Sequence, residues 1–175
     1  MAPSLTIKTL AQTDILDHLH ELADILHNCV NAGASVSFML PFTHDRADAF
    51  WRDVAASVGR NERSVLACLN DDGELVGTVQ LITCQPENQP HRADVAKLLV
   101  HEKARRFGVA MALMEALETC ARQQGKTVLV LDTATGSGAE TFYQRAGWQK
   151  VGEIPQYALM PDGAMTATSL FYKFL

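Results

Sequence analysis

The sequence contains no Cys-x-x-Cys pair: Cys29, Cys68, Cys84 and Cys120 stand far apart inside apolar or helical patterns. That spacing excludes a thioredoxin-like redox motif and a cysteine-built zinc site, and fits a reduced, intracellular chain. Clustered histidines are missing as well, and the two in "HLH" project to different faces of a helix. No metal is expected. No stretch approaches the ~18 consecutive apolar residues of a membrane helix, and "MAPSLTIKTLAQTD" lacks the basic region and apolar core of an export signal. The expected location is the cytoplasm. Positive charge is not in excess, since the formal net charge is -5, which argues against nucleic acid or an anionic membrane as partner. The P-loop string Gly-x-x-x-x-Gly-Lys-Ser/Thr is absent, and "TGSGA" lacks the spacing of the Gly-x-Ser-x-Gly hydrolase elbow. Cys84 has no base close in sequence and reads as a core cysteine rather than a nucleophile.

What is present suffices for one core. With 175 residues, 47% hydrophobic and 20% charged, the chain is expected to form a single domain over residues 1–175. "SLTIKTL" alternates like a strand, and Ile15, Leu19, Leu22, Leu26 and Val30 recur at helical spacing. "NAGASVSFMLPF" reads as an ordered loop before a second helix over Thr43 to Arg60. "SVLACL", "NDDG" and "ELVGTVQLITCQ" form a hairpin pattern, and "ADVAKLLV" is a further strand. A third helix, ended by Gly125, leads to the apolar strand "TVLVLD", which a βαβ connection makes parallel to "ADVAKLLV". Ser137 and Glu140 form a capping-box pattern before a short fourth helix stopped by Gly147. "WQKVGEI" and "TSLFYKF" close the chain as strands joined by a loop carrying "PDG". The expected class is α/β (α+β): a mixed, mostly antiparallel sheet of about seven strands with about four helices.

"VLVLDTATGSGAE" resembles the strand and glycine loop with which methyltransferases hold S-adenosylmethionine, but that loop opens a large doubly wound sheet and too little chain follows here. "ARRFGVA" is more telling. It puts Arg105 and Arg106 at the positive end of a helix, where they are unfavourable without an anion. The first turn of a helix offers unpaired N–H groups, and an anion there contributes up to ~2 kcal/mol in favourable geometry. Gly108 lets the backbone approach a diphosphate closely, and Ala110 keeps the next approach small.

The string "ADVAKLLVHEKARRFGVA" resembles the acetyl-coenzyme A motif of the GNAT superfamily of N-acetyltransferases, Gln/Arg-x-x-Gly-x-Gly/Ala before a helix, with Arg105, Gly108 and Ala110 in its three positions. "LDTATGSGAETFYQRAGWQKVGE" resembles the second half of that family. More narrowly, "NAGASVSFM", "QLITCQPENQPHRADVAKLLV" and "VGEIPQYALMPDG" are similar to the tabtoxin-resistance type of acetyltransferase. Glu102 stands in a region where the family often has proline.

The resemblance implies a GNAT fold in which a splayed parallel pair holds acetyl-coenzyme A. Its diphosphate would lie on the backbone of Arg105, Arg106, Phe107, Gly108, Val109 and Ala110, and its pantetheine arm along Leu98, Leu99 and Val100. Thr133, Ala139 and Phe142 would complete the cofactor contacts. Tyr143 is the candidate acid for the departing thiolate. Asp94 and Asp132 are the candidates to orient the amine or receive its proton, with base and binder left open between them. Ser35, Phe38, Gln80, Ile82 and Tyr157 are the expected acceptor contacts. The implied reaction moves an acetyl group to the primary amine of a small molecule, a toxin, antibiotic or amino-acid-like metabolite, by direct attack in a ternary complex. A non-catalytic acyl-coenzyme A sensor would keep the same fold, and a homodimer is left open.

Overall fold

The computed structural model describes residues 3–175. Strand β1 (Thr6–Leu10) leads into α1 (Gln12–Asp17), α2 (Leu19–Asn31) and α3 (His44–Gly59). The β2 (Arg63–Leu69) and β3 (Leu75–Ile82) hairpin follows, then β4 (Arg92–Val100), a 3-10 turn (Glu102–Ala104) and α4 (Val109–Gln123). Strand β5 (Val128–Ala134), α5 (Ala139–Arg145), β6 (Gln149–Leu159) and β7 (Met165–Phe174) complete the chain. The seven strands form one mixed sheet in the order β1-β2-β3-β4-β5-β7-β6. Only β4 and β5 pair in parallel, over Arg92–Asp94 with Val128–Val130. The class is the one expected, with one correction: the first helix is two, because His18 leaves helical geometry at φ -103°, ψ 20° between α1 and α2.

Helices cover both faces of the sheet. On one face Ile15, Leu22, Leu26 and Trp51 pack against Val65 and Ala67; on the other Leu113, Met114 and Leu117 pack against Leu66 and Cys68. The alternation of β2 between these clusters is the period of a strand, and coverage on both faces explains why its sequence is continuously apolar. Each large aliphatic side chain so buried contributes about 1.5–3 kcal/mol.

Two local features set the site. In β3, a Cβ on Gly77 would meet Val109 Cγ1 at 2.7 Å and the Leu99 carbonyl at 3.2 Å, so only glycine lets the start of α4 lie this close to the sheet. In β4, pairing with β3 jumps from Gln80↔Ala96 to Thr78↔Leu99, so β4 carries one extra residue there. The bulge holds Lys97 at φ 55°, a left-handed conformation that costs a lysine about 1–2 kcal/mol. It also reverses the strand's phase: Val95 faces the α4 side and Leu99 the α2 side, although both positions are odd.

Other expectations are corrected. The Ser137 capping box does not form: α5 starts after Gly138 without a side-chain cap, and Glu140 Oε2 accepts instead from the Gly136 N–H at 2.8 Å. Strand β6 runs to Leu159, so Tyr157 lies in a strand rather than a loop. Cys84 is exposed just past β3 rather than in the core. Among the described residues no helix is long and apolar enough to cross a membrane, and no group of three or more His, Cys, Asp or Glu is set to hold a metal ion.

Candidate active site

Beyond Asp94 and Val130, β4 and β5 part and open a cavity of about 1170 Å³. One wall is the start of α4, from Arg105 to Met111; facing it are Ala139, Phe142 and Tyr143 of α5. Gly33–Ser37 and Tyr157 to Met160 of the terminal hairpin also line the cavity.

The α4 end is a backbone anion cradle. Arg106 at φ 69° and Gly108 at φ 81° are both left-handed, and such alternation turns successive N–H groups toward one point. Among the described residues, the amides of residues 106–111 donate to no protein acceptor; the first helical bond of α4 is Ala112 N–H to the Gly108 carbonyl, 3.0 Å. No atom lies within 4 Å of where a Gly108 Cβ would sit, so glycine is required by conformation there, with open space on that side. These donors, beside two guanidiniums, suit a diphosphate.

The strand edge is the second element. Past Asp94, β4 pairs only with β3, which leaves the edge facing β5 able to bond an amide-bearing ligand. Leu98, Leu99 and Val100 line this edge. The Val100 carbonyl already accepts from the Cys29 thiol at 3.5 Å, and burial pushes that thiol's pKa up despite nearby Arg105.

Tyr143 is 7% exposed, held between Phe142, Trp148 and Phe171 at ring distances of 5.3, 6.0 and 5.9 Å. Its hydroxyl hydrogen-bonds to no described residue, and Tyr143 lines the cavity. Burial, reinforced by the negative charge of Asp132, pushes its pKa up to about 12, so the phenol keeps its proton at neutral pH. Asp132 also lines the cavity, with Thr168 Oγ1 at 2.7 Å from its Oδ2.

The cavity thus gathers Tyr143, Asp132, Leu98–Val100, Arg105, Arg106, Gly108–Ala110, Thr133, Ala139, Phe142, Ser35 and Tyr157. Five expected residues lie off its walls. Asp94 shares the sheet face of Asp132, but its carboxylate accepts from Arg92 Nη1 and from Gln85 Nε2 at 3.0 Å. Gln80 is fully buried and its Oε1 accepts from Arg63 at 2.8 Å; Ile82 sits opposite Asp94. Phe38 packs on Phe42 and Phe50 at 4.7 and 5.4 Å, and Phe107 is 55% exposed outside the cavity lining. Lys97, Ser37 and Thr168, which sequence reasoning passed over, do line it. A lysine inside the apolar run "AKLLV" was the one available signal.

Such a cleft, a helix-start anion cradle beside a split parallel pair, defines a class of coenzyme A-dependent acyltransferase. A model of the acetyltransferase (GNAT) family matches residues 31–148, and the chain belongs to that family. It is 30% identical over 132 residues to an uncharacterized N-acetyltransferase in the hisH-hisA intergenic region of Azospirillum brasilense, covering 73% of this chain and 76% of that one. It is also 30% identical over 132 residues to N-acetyltransferase 8 of Rattus norvegicus, covering 67% of this chain and 60% of the rat protein. The fold superposes on yncA of Salmonella typhimurium, solved with its cofactor acetyl-CoA, at a TM-score of 0.78 and 17% identity, covering 98% and 94% of the two chains. As a member of that family the chain is an acetyl-coenzyme A dependent N-acetyltransferase, with acetyl-coenzyme A as co-substrate.

Proposed function

We propose that this chain acetylates the primary amine of a small molecule, by direct attack on the thioester within a ternary complex. The observation that carries the reading is the presence, in one cavity, of Arg106, Gly108–Met111 and Tyr143, whose amides and hydroxyl have no protein partner among the described residues. Acetyl-coenzyme A supplies an activated acyl group with a thiolate leaving group. The amides, with Arg105 and Arg106, hold its diphosphate; the free edge at Leu98–Val100 positions the pantetheine amides; Thr133, Ala139 and Phe142 pack along it. A backbone N–H near Leu99 can face the thioester oxygen as negative charge develops there.

Tyr143 donates its proton to the departing sulfur, and Asp132 orients the amine. An aspartate is too weak a base to deprotonate an ammonium, so the amine enters neutral; attack on the carbonyl makes its nitrogen cationic and acidic, and the proton it sheds returns to the Tyr143 phenolate left by protonating the sulfur. Asp94, already tied to Arg92 and Gln85, shapes the adjoining sheet face. Acceptors of the toxin or antibiotic kind fall within this class, in keeping with the sequence resemblance to tabtoxin-resistance acetyltransferases. We place the activity in one catalytic domain over residues 1–175, acting in the cytoplasm.

Acetyl-coenzyme A affinity by calorimetry, and thiol release with a panel of amines, test this reading. Binding with turnover of at least one amine, lost in Tyr143→Phe, is the expected result. Binding without turnover of any amine sinks catalysis and leaves an acyl-coenzyme A sensor; no binding sinks the cofactor site.

A further inference from the structure

The acceptor end of the cavity carries both signs of charge. Asp132 stands at the end of β5, and Lys97 enters from the β4 bulge. The Lys97 Nζ lies 3.4 Å from the Ser37 hydroxyl and 6.0 Å from the centre of the Phe50 ring. It takes part in none of the ion pairs formed among the described residues, although Lys103, Lys126, Lys150 and Lys173 elsewhere in the chain each find an oxygen partner. Its surroundings are adverse to a lone cation: burial and the neighbouring Arg63 guanidinium both push its pKa down, and only the charge of Asp132 opposes them. An anion arriving beside it would remove that penalty. The backbone accords with the placement: Lys97 sits in the bulge in a left-handed conformation, and its side chain lines the cavity.

We infer that the acceptor is an amino-acid-like zwitterion, whose carboxylate is held by Lys97 and the Ser37 hydroxyl while its amine faces Asp132. The inference rests on the acetyl-transfer reading above and names its substrate class. Ser37 and Tyr157 line the same cavity as Lys97 and Asp132. Opposed charges at two fixed points select against diamines and amino sugars, which would put a second cation or a neutral hydroxyl against Lys97.

The test compares matched acceptors: each amino acid of a panel against its decarboxylated amine and its primary amide. Thiol release gives kcat/KM for the wild-type chain and for Lys97→Met, Lys97→Arg and Lys97→Glu, and calorimetry gives acetyl-coenzyme A affinity for each. A charge-assisted contact of this kind predicts a wild-type preference for the carboxylate of ~10- to 100-fold, expressed mainly in KM. Lys97→Met should abolish that preference by losing rate on the acids alone, Lys97→Arg should retain much of it, and Lys97→Glu should invert it. Unchanged acetyl-coenzyme A affinity shows that the variants fold, and the wild-type comparison decides without them. Equal rates for acids and decarboxylated amines overturn the inference while leaving acetyl transfer intact. Equal losses on acids and amines in Lys97→Met also overturn it and make Lys97 a participant in proton transfer. Turnover of no amine at all overturns both.

Discussion

By the start of α4 the cavity offers mainly main-chain amides, with the side chains of Arg105 and Arg106 beside them, whereas the proposed acceptor region offers the side chains of Lys97, Asp132, Ser37 and Tyr157. A backbone site can change its side chains and still bind, provided the conformation survives. A side-chain site is redefined by one substitution. The first suits a ligand shared across a family, and the second a ligand that differs from member to member.

Four substitutions probe that contrast, in falling order of effect. Tyr143→Phe sits where the two ends meet and should lower kcat by ~10²- to 10⁴-fold, with acetyl-coenzyme A affinity unchanged in calorimetry. Because the phenol's pKa is raised to about 12, the proton-donating form persists across the neutral and mildly alkaline range, so Tyr143 should impose no alkaline limb on kcat below pH ~10. A tyrosine-dependent limb near pH 8 would break the assignment. In stability terms the raised value helps fully below the ordinary tyrosine pKa of ~10 and is lost as pH rises through about 12.

Asp132→Asn belongs to the side-chain end and should raise the KM of the amine ~10- to 100-fold, leaving acetyl-coenzyme A binding untouched. Gly108→Val belongs to the backbone end. Forcing a branched residue to φ 81° should weaken acetyl-coenzyme A ~5- to 30-fold, with the choice among amines preserved. If Gly108→Val reorders the amine panel, the two ends are not independent. Glu140→Gln should have the smallest effect, a fall of a few degrees in Tm at pH 7. The nearby Ser169 hydroxyl, the Gly136 amide donating at 2.8 Å and the Lys150 ammonium at 3.1 Å hold the Glu140 carboxyl down to about 2. Its contribution is present above the ordinary glutamate pKa of ~4.3 and fades as pH falls toward 2, so thermal melts of wild type and variant should converge there.

The same contrast decides what was legible in the sequence. Backbone tasks leave marks in residue choice: Gly108 at the helix start, the apolar runs of β4 and β5, and the Asp-Gly turn of the β2–β3 hairpin all identify their elements. The acceptor end left fainter marks. Asp94 and Asp132 look alike in sequence, and only the sheet register shows that Arg92 and Gln85 occupy the first. Gln80 reads as a cavity polar group and is instead a buried partner of Arg63. The His18 break has no proline or glycine to announce it, since the apolar period runs on through Ile15 and Leu19. Strand β6 continues through Pro155 because the sheet's edge pairs it on one side only, and its register shift between Ile154 and Ala158 absorbs the missing donor.

The extra residue in β4 divides one strand into two stretches with different tasks. Upstream of it the strand keeps its pairing with β5, and downstream Leu98 to Val100 offer main-chain atoms, which carry no amino-acid identity. Lys97 and Leu98 together face the single β3 residue Val79, so the bulge turns Lys97 into the cavity while Leu98 starts the stretch of free main chain. On the acceptor reading proposed above, the side chain that meets the carboxylate and the atoms that seat the acyl donor then come from neighbouring residues of one strand with separate tasks.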